Sequence, residues 1–158
     1  MDDPTPFPPG HEIAFGPVPS RRLGRSLGID HVPPKTCSYA CVYCQLGPTL
    51  RMQVERRPFA PPDAVVAAVR AKVTALRRRG EGVDALTFVP AGEPTLDANL
   101  GAAIRALRPL GVPIAVISNA SLIWRADVRA DLAAADWVSL KVDAVDPAIW
   151  HALDRPHG

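Results

Sequence analysis

The sequence predicts an α/β fold: a partial (β/α) barrel of parallel strands that breaks off after the fourth. Three observations carry this expectation. Short apolar runs alternate with stripes of apolar residues at helical spacing, the signature of right-handed βαβ units and a parallel sheet. Polar and cysteine residues gather just after the apolar runs, at the strand ends where barrel enzymes place their chemistry. In the fourth run, Ser139, Lys141 and Asp143 alternate with Val138, Leu140 and Val142. That period of two favours a curved sheet with a polar interior over a flat sheet covered on both faces, although an edge strand with one wet face gives the same pattern.

Each element follows in order. Six of the first nineteen residues are proline (Pro4, Pro6, Pro8, Pro9, Pro17, Pro19), too many missing donors for a helix or a central strand. Residues 1–26 are therefore expected to be an extended arm and lead-in, and residues 27–158 the core domain. Leu27 to Val32 is a first strand closed by Pro33-Pro34, and the cysteines follow in a loop. Val65, Val66, Val69, Val73 and Leu76 mark a first helix that ends in Arg77-Arg78-Arg79-Gly80, cations followed by glycine. Ala85 to Val89 is a second strand, and Leu96, Leu100, Ile104 and Leu107 stripe a second helix ending near Pro109 and Gly111. Pro113 to Ser118 is a third strand, Trp124, Val128 and Leu132 a third helix, and Trp137 to Val142 a fourth strand. Pro147 to Leu153 reads as the opening of an unfinished element, so the core is expected to be incomplete at its C-terminus.

Composition narrows the function classes. With 18 Lys+Arg against 16 Asp+Glu, the net charge of +2 is too small to announce a nucleic-acid partner. Arg21, Arg22 and Arg25 read as a solvated basic loop, with contact to an anionic substrate as the alternative, and Arg77 to Arg79 read as helix-end charges. The acidic, proline-rich start is unlike a secretory signal, and no apolar run approaches the ~20 residues of a membrane span, which predicts a cytoplasmic protein. In that reducing compartment, three cysteines within eight residues are better metal ligands than disulfide partners.

The cysteines, Cys37-Ser-Tyr-Ala-Cys41-Val-Tyr43-Cys44, have the spacing C-x3-C-x2-C. A [4Fe-4S] cube normally takes one thiolate per iron, so three thiolates in one loop leave one iron open to a substrate. The competing reading is a zinc knuckle completed by His31 or His11, but zinc loops usually pair cysteines as C-x2-C and add a second pair elsewhere. A second chemical motif, Ala91-Gly92-Glu93-Pro94-Thr95, follows the second strand. There a glycine allows close backbone approach and a carboxylate complements an ammonium. Ser118-Asn119 follow the third strand, where a binding role and simple turn capping are equally expected.

The C-x3-C-x2-C loop, with Tyr43 before its last cysteine, resembles that of the radical S-adenosylmethionine (SAM) superfamily. Phe15 to Gly24, Pro33 to Cys37 and Cys44 to Gly47 are similar to a bacterial and archaeal group of Fe-S oxidoreductases related to the tRNA wybutosine-forming enzymes. The resemblance implies that Cys37, Cys41 and Cys44 hold a [4Fe-4S] cluster and that SAM binds its open iron. Reductive cleavage of SAM would then give a 5′-deoxyadenosyl radical that abstracts hydrogen from an unidentified substrate. It further implies an electron donor such as flavodoxin or ferredoxin, Tyr43 beside the adenine, and Gly92 and Glu93 at the SAM amino group. Ser118, Asn119, Ser139, Lys141 and Asp143 would serve the SAM ribose and carboxylate. The sequence departs at Ala91, where the family often has a glycine. The resemblance also implies a six-unit partial barrel, two strands more than are present, so the chain reads as the N-terminal part of a longer enzyme. The alternative function is a non-catalytic iron-sulfur or zinc-binding relative. A tRNA substrate is suggested by the relatives alone.

Overall fold

The computed structural model describes residues 7–158; Pro4 and Pro6 of the expected arm lie outside the described residues. Ala14–Ser20 forms strand β1, antiparallel to β2 (Gly24–Ile29), with Ala14 opposite Ile29 and Ser20 opposite Gly24. The lead-in is thus part of the sheet, and the boundary expected at residues 26 and 27 falls inside β2. Pro17 and Pro19 are tolerated because β1 is an edge strand with a ladder on one side only, and its register slips between Phe15 and Val18. Phe15 lies over Gly28, where an added Cβ would come within 2.1 Å of the ring.

From the cysteine segment come β3 (Thr36–Cys37) and β4 (Arg51–Met52), a small parallel pair separate from the main sheet. Helix α1 (Pro62–Arg78) buries Val65, Val69, Val73 and Leu76, the stripe that its spacing predicts. Pro62 and Asp63 stand in its first turn, Arg77 and Arg78 in its last, and Gly80 leaves it at φ 72°. Strand β5 (Ala85–Phe88) is wholly buried. Leu96 belongs to a short 3-10 turn, Pro94–Leu96, and not to the helix that follows, α2 (Leu100–Leu107). Asp97 breaks the continuity: its Oδ1 accepts the Asn99 and Phe59 N–H groups, an alternative to helical bonding. Strand β6 (Ile114–Ser118) is followed by α3 (Ala126–Leu132), which buries Val128 and Leu132. Trp124 lies before α3 and is 70% exposed, so it is not part of the buried stripe expected of it.

Strand β7 (Trp137–Leu140) is shorter than expected and forms the outer edge of the sheet, whose order is β1-β2-β5-β6-β7. Lys141, Val142 and Asp143 lie beyond it. The four strands from β2 onward are parallel, with Ile29 opposite Phe88, Phe88 opposite Val116, and Ser118 opposite Leu140. Their C-terminal ends therefore line up. Leu27, Ile29, Leu86, Phe88, Ile114 and Val116 share one face and join the buried residues of α1, α2 and α3 in a single core. The opposite face carries Ser26, Gly28, Thr87 and Ala115, with Ser26 and Thr87 hydrogen-bonded through their hydroxyls at 2.6 Å. Helices on one face and small or polar groups on the other make this a partial parallel barrel. Ser139 pairs with Ile117 on that second face.

The segment expected to be unfinished is a closed helix, α4 (Pro147–Asp154). Asp146 caps it by accepting the Ala148 and Ile149 N–H groups at 2.9 and 3.0 Å, and Arg155 ends it at φ 44°. Among the described residues, no helix is long and apolar enough to cross a membrane.

His31 sits in the core edge-on to Phe88, 4.9 Å between ring centroids, and among the described residues neither ring nitrogen has a hydrogen-bond partner within bonding geometry. Burial pushes its pKa down to about 4 against a smaller opposite pull from the backbone at Pro94 and Ile29. The unfolded chain takes up this proton near pH 6.5 and the fold resists it until about 4, so stability falls as pH drops through that window. The His31→Leu variant is expected to be about 2 to 3 kcal/mol less sensitive than the parent between pH 7 and pH 4.5. Urea titrations at both pH values check this, and parallel slopes would overturn it.

Candidate iron-sulfur site at the strand ends

Three chain segments meet where β2, β5 and β6 end. Lys35, held at φ 60°, turns the chain out of Pro33-Pro34 so that its N–H donates to the Ala91 carbonyl at 2.6 Å. One residue on, the Thr36 carbonyl accepts the Glu93 N–H at 3.1 Å, and Asp30 Oδ1 accepts the Ala91 N–H at 2.9 Å. Gly92 lies between these bonds, and a Cβ there would come within 2.2 Å of the Thr36 oxygen. The glycine therefore serves contact between the two motifs.

Cys37, Cys41 and Cys44 line one cavity together with Lys35, Gly47, Ala91 and Gly92. Cys37 and Cys41 are half-buried and Cys44 is exposed. Among the described residues, no three His, Cys, Asp or Glu side chains gather as around one ion. Neither histidine of the zinc alternative lines this cavity. His31 is in the core, while His11 stacks on Phe7 and its Nε2 pairs with the Asp30 carbonyl at 2.8 Å. Two sulfurs face N–H donors: Asn119 Nδ2 is 3.6 Å from Cys37 Sγ, and Lys141 Nζ is 3.7 Å from Cys41 Sγ. Three thiols around one cavity, with donors aimed at two of them, are a donor set suited to an iron-sulfur cluster.

Burial pushes the Cys37 thiol up to about 11 from an ordinary 9.0. Burial and then Asp154 push Cys41 up as well. In metal-free protein at pH 8, iodoacetamide is expected to label Cys44 first and Cys37 last. Two pKa units leave Cys37 about a hundredfold less thiolate, the reactive form. Peptide mapping of a labelling time course checks the order, and Cys37 reacting first would contradict it.

Glu93 is 2% exposed and is the hub of the strand-end turns. Its Oε1 accepts the Thr95 N–H (3.1 Å), the Thr95 hydroxyl (2.6 Å) and the Ser118 hydroxyl (2.7 Å), and its Oε2 accepts the Asn119 N–H (2.8 Å). Burial raises its pKa, against the pull of these donors. Asn119 also donates from Nδ2 to Ser38 Oγ at 3.0 Å, so one chain of bonds joins Glu93, Asn119 and the Cys37 region. Ser118 and Asn119 also cap their own turn, through the Ala120 and Ser121 N–H groups.

A second network surrounds Cys41. Lys141 Nζ donates to Tyr43 OH at 2.5 Å, to Asp154 Oδ1 at 2.7 Å and to Asp143. Tyr43 OH, with its single proton, donates to Asp143 and also lies 3.1 Å from Asp154 Oδ1. The Tyr43 ring is half exposed, and Lys141 Nζ lies 5.1 Å from its centroid. Burial works against the Lys141 charge, but the three acceptors outweigh it and raise the pKa; Lys141 in turn holds Asp143 below the usual carboxylate range. The hydrogen bonds described do not draw Ser139 into this network.

Sequence reasoning missed two residues here. Asp154 lies 113 positions from Cys41 and its carboxylate is 3.3 Å from that sulfur. The Asp146-Pro147 cap signals a closed helix, but nothing local shows where that helix docks. Arg56, 7% exposed at its side chain, donates to the Thr95 and Asp97 carbonyls at 2.8 and 2.9 Å and pairs with Asp127 and Asp131 of α3 at 2.9 and 2.5 Å. It ties the stretch after the cysteine loop to the Glu93 turn. Arg25 pairs with Glu81 at 2.7 Å, as a solvated surface residue does.

The family model of the radical SAM superfamily matches residues 32–158. The chain is 54% identical over 145 residues to the UPF0026 protein MJ1312 of Methanocaldococcus jannaschii, covering 92% of this chain and 44% of that protein. It is 38% identical over 154 residues to the UPF0026 protein slr1464 of Synechocystis sp., covering 96% and 54%. The chain thus spans about half the length of the curated relatives it matches. In fold it is similar to TYW1 solved with a lysine-pyruvate adduct bound, at a TM-score of 0.62 and 18% identity, covering 84% of this chain and 46% of that one. The parallel sheet, the cysteine loop at its strand ends and the extent of the family match together show that the chain belongs to the radical SAM superfamily.

Proposed function

We propose that Cys37, Cys41 and Cys44 hold a [4Fe-4S] cluster with one open iron, and that SAM binds there as part of a radical SAM enzyme. The observation that carries this reading is the shared cavity of the three thiols, lined also by Ala91 and Gly92. When bound, such a cluster supplies the electron that cleaves SAM to a 5′-deoxyadenosyl radical. The chain's own residues do the holding. Thr36, Lys35 and Gly92 fix the loop against the strand ends, Asn119 and Lys141 present N–H groups to two of the sulfurs, and Glu93 braces the turns around them. Tyr43, Gly92, Ser118, Asn119, Ser139, Lys141 and Asp143 are the proposed SAM contacts. Glu93 meets the SAM ammonium through Oε2, which takes a single donor from the chain while Oε1 takes three. A cytoplasmic flavodoxin or ferredoxin is the proposed electron donor.

Anaerobic reconstitution followed by EPR tests the reading. A reduced [4Fe-4S]+ signal that changes on addition of SAM is expected. Stoichiometric zinc without iron would overturn it, leaving a metal-binding relative without turnover.

A further inference from the structure

We propose that Asp154 and Lys141 form an opposed charge pair that positions Cys41 and sets the reduction potential of the cluster it binds. The inference rests on the cluster reading above and extends it to α4, an element remote in sequence from the cysteines.

The helix end is fastened to the cysteine loop by backbone. The Ala40 N–H donates to the Asp154 carbonyl at 3.0 Å, the Val42 N–H to the Leu153 carbonyl at 2.9 Å, and the His157 N–H to the Ser38 carbonyl at 2.9 Å. The stretch between Cys37 and Cys44 is thus held along the last turn of α4 and the residues after it. That docking aims the Asp154 side chain, 2% exposed, at Cys41, whose sulfur lies 3.3 Å from Oδ1. The same oxygen lies 3.1 Å from Tyr43 OH and receives Lys141 Nζ at 2.7 Å. A carboxylate present only to end a helix has no reason to be buried among three donors.

Lys141 completes the arrangement. Its ammonium is bonded to Asp154 and lies 3.7 Å from the Cys41 sulfur, so the sulfur faces a cation and an anion at similar range. As an iron ligand Cys41 is a thiolate with no proton to give Asp154, and the two anions stay close because the Lys141 cation is bonded to Asp154 and lies 3.7 Å from the sulfur. Reduction adds negative charge at the cluster. A cation beside a ligand sulfur favours that step and a carboxylate opposes it, and partial burial keeps both effects from being screened. The two residues therefore act with opposite sign.

The test compares reconstituted parent protein with Asp154→Asn and Lys141→Met, measuring iron and sulfide content first and then the cluster midpoint by EPR-monitored redox titration. Asp154→Asn is expected to raise the midpoint, Lys141→Met to lower it, and the double variant to fall between them. Shifts of the same sign in both single variants, or none at full iron content, would overturn the pair while leaving the cluster reading standing. A parent protein that loads no iron would overturn both. Should Asp154→Asn fail to load, the half-exposed Lys141→Met decides alone, and a midpoint that is unchanged or higher would sink the proposal.

Discussion

Alanine in place of Cys37, Cys41 or Cys44, one at a time, is expected to abolish a full [4Fe-4S] complement. In the proposed cluster each thiolate would hold a separate iron, and a second open iron would leave the cube exposed to exchange and loss. The three variants should not be equal as proteins. Cys44 is exposed, so its loss is expected to change apo-protein stability by less than about 0.5 kcal/mol. Cys37 lies in β3 and accepts from Asn119, and Cys41 is bonded to Asp154 and Lys141, so each of those variants also removes a contact within the fold. Iron and sulfide analysis beside thermal melts of the apo-proteins separates the two effects. Retention of the full complement in all three variants would refute the ligand assignment.

What the sequence revealed and what it hid divide along the range of the interactions. Helix α1 and strands β5 and β6 were legible because Val65, Val69, Val73 and Leu76, or Ala85 to Phe88, are buried for reasons contained in their own spacing. That the three cysteines face one cavity was legible because their spacing is local. Strand β1 was misjudged because proline counts exclude a central strand but do not reveal an edge. Trp124 fits the helical period yet lies outside α3, since period alone does not say where a helix starts. The Glu93 turn and the Cys41 surroundings were hidden for another reason. Ser118 and Asn119 reach Glu93 across 25 and 26 residues, and Asp154 reaches Cys41 across 113. Such partners are chosen by strand order and helix docking. The sequence named the residues at the strand ends, but the bonds that join them depend on the parallel register that brings Phe88 beside Val116 and Ser118 beside Leu140.

Replacing Glu93 by alanine is expected to destabilise the fold by about 2 to 4 kcal/mol. Its carboxylate, 2% exposed, receives four donors, and alanine leaves the buried Thr95 N–H and the half-buried Asn119 N–H without this acceptor. The Thr95 and Ser118 hydroxyls can rotate toward other partners, which keeps the loss below the sum of four bonds. The cost should depend on pH in a defined direction. Burial raises the Glu93 pKa above its ordinary 4.5, so the folded state holds this proton more tightly than the unfolded chain. Its contribution is full at low pH and declines as pH rises past 4.5, so the variant should lose more stability at pH 5 than at pH 8. Urea titrations at the two pH values check the sign. Glu93→Gln keeps the shape of the side chain and most of its acceptor capacity, so it should retain the fold far better than alanine. In that variant the SAM role can be read separately: a charge-assisted bond from Oε2 to the SAM ammonium predicts binding weaker by about 1 to 3 kcal/mol. Unchanged SAM affinity in Glu93→Gln, with alanine still destabilising, would make Glu93 a brace for the strand-end turns and not a SAM contact.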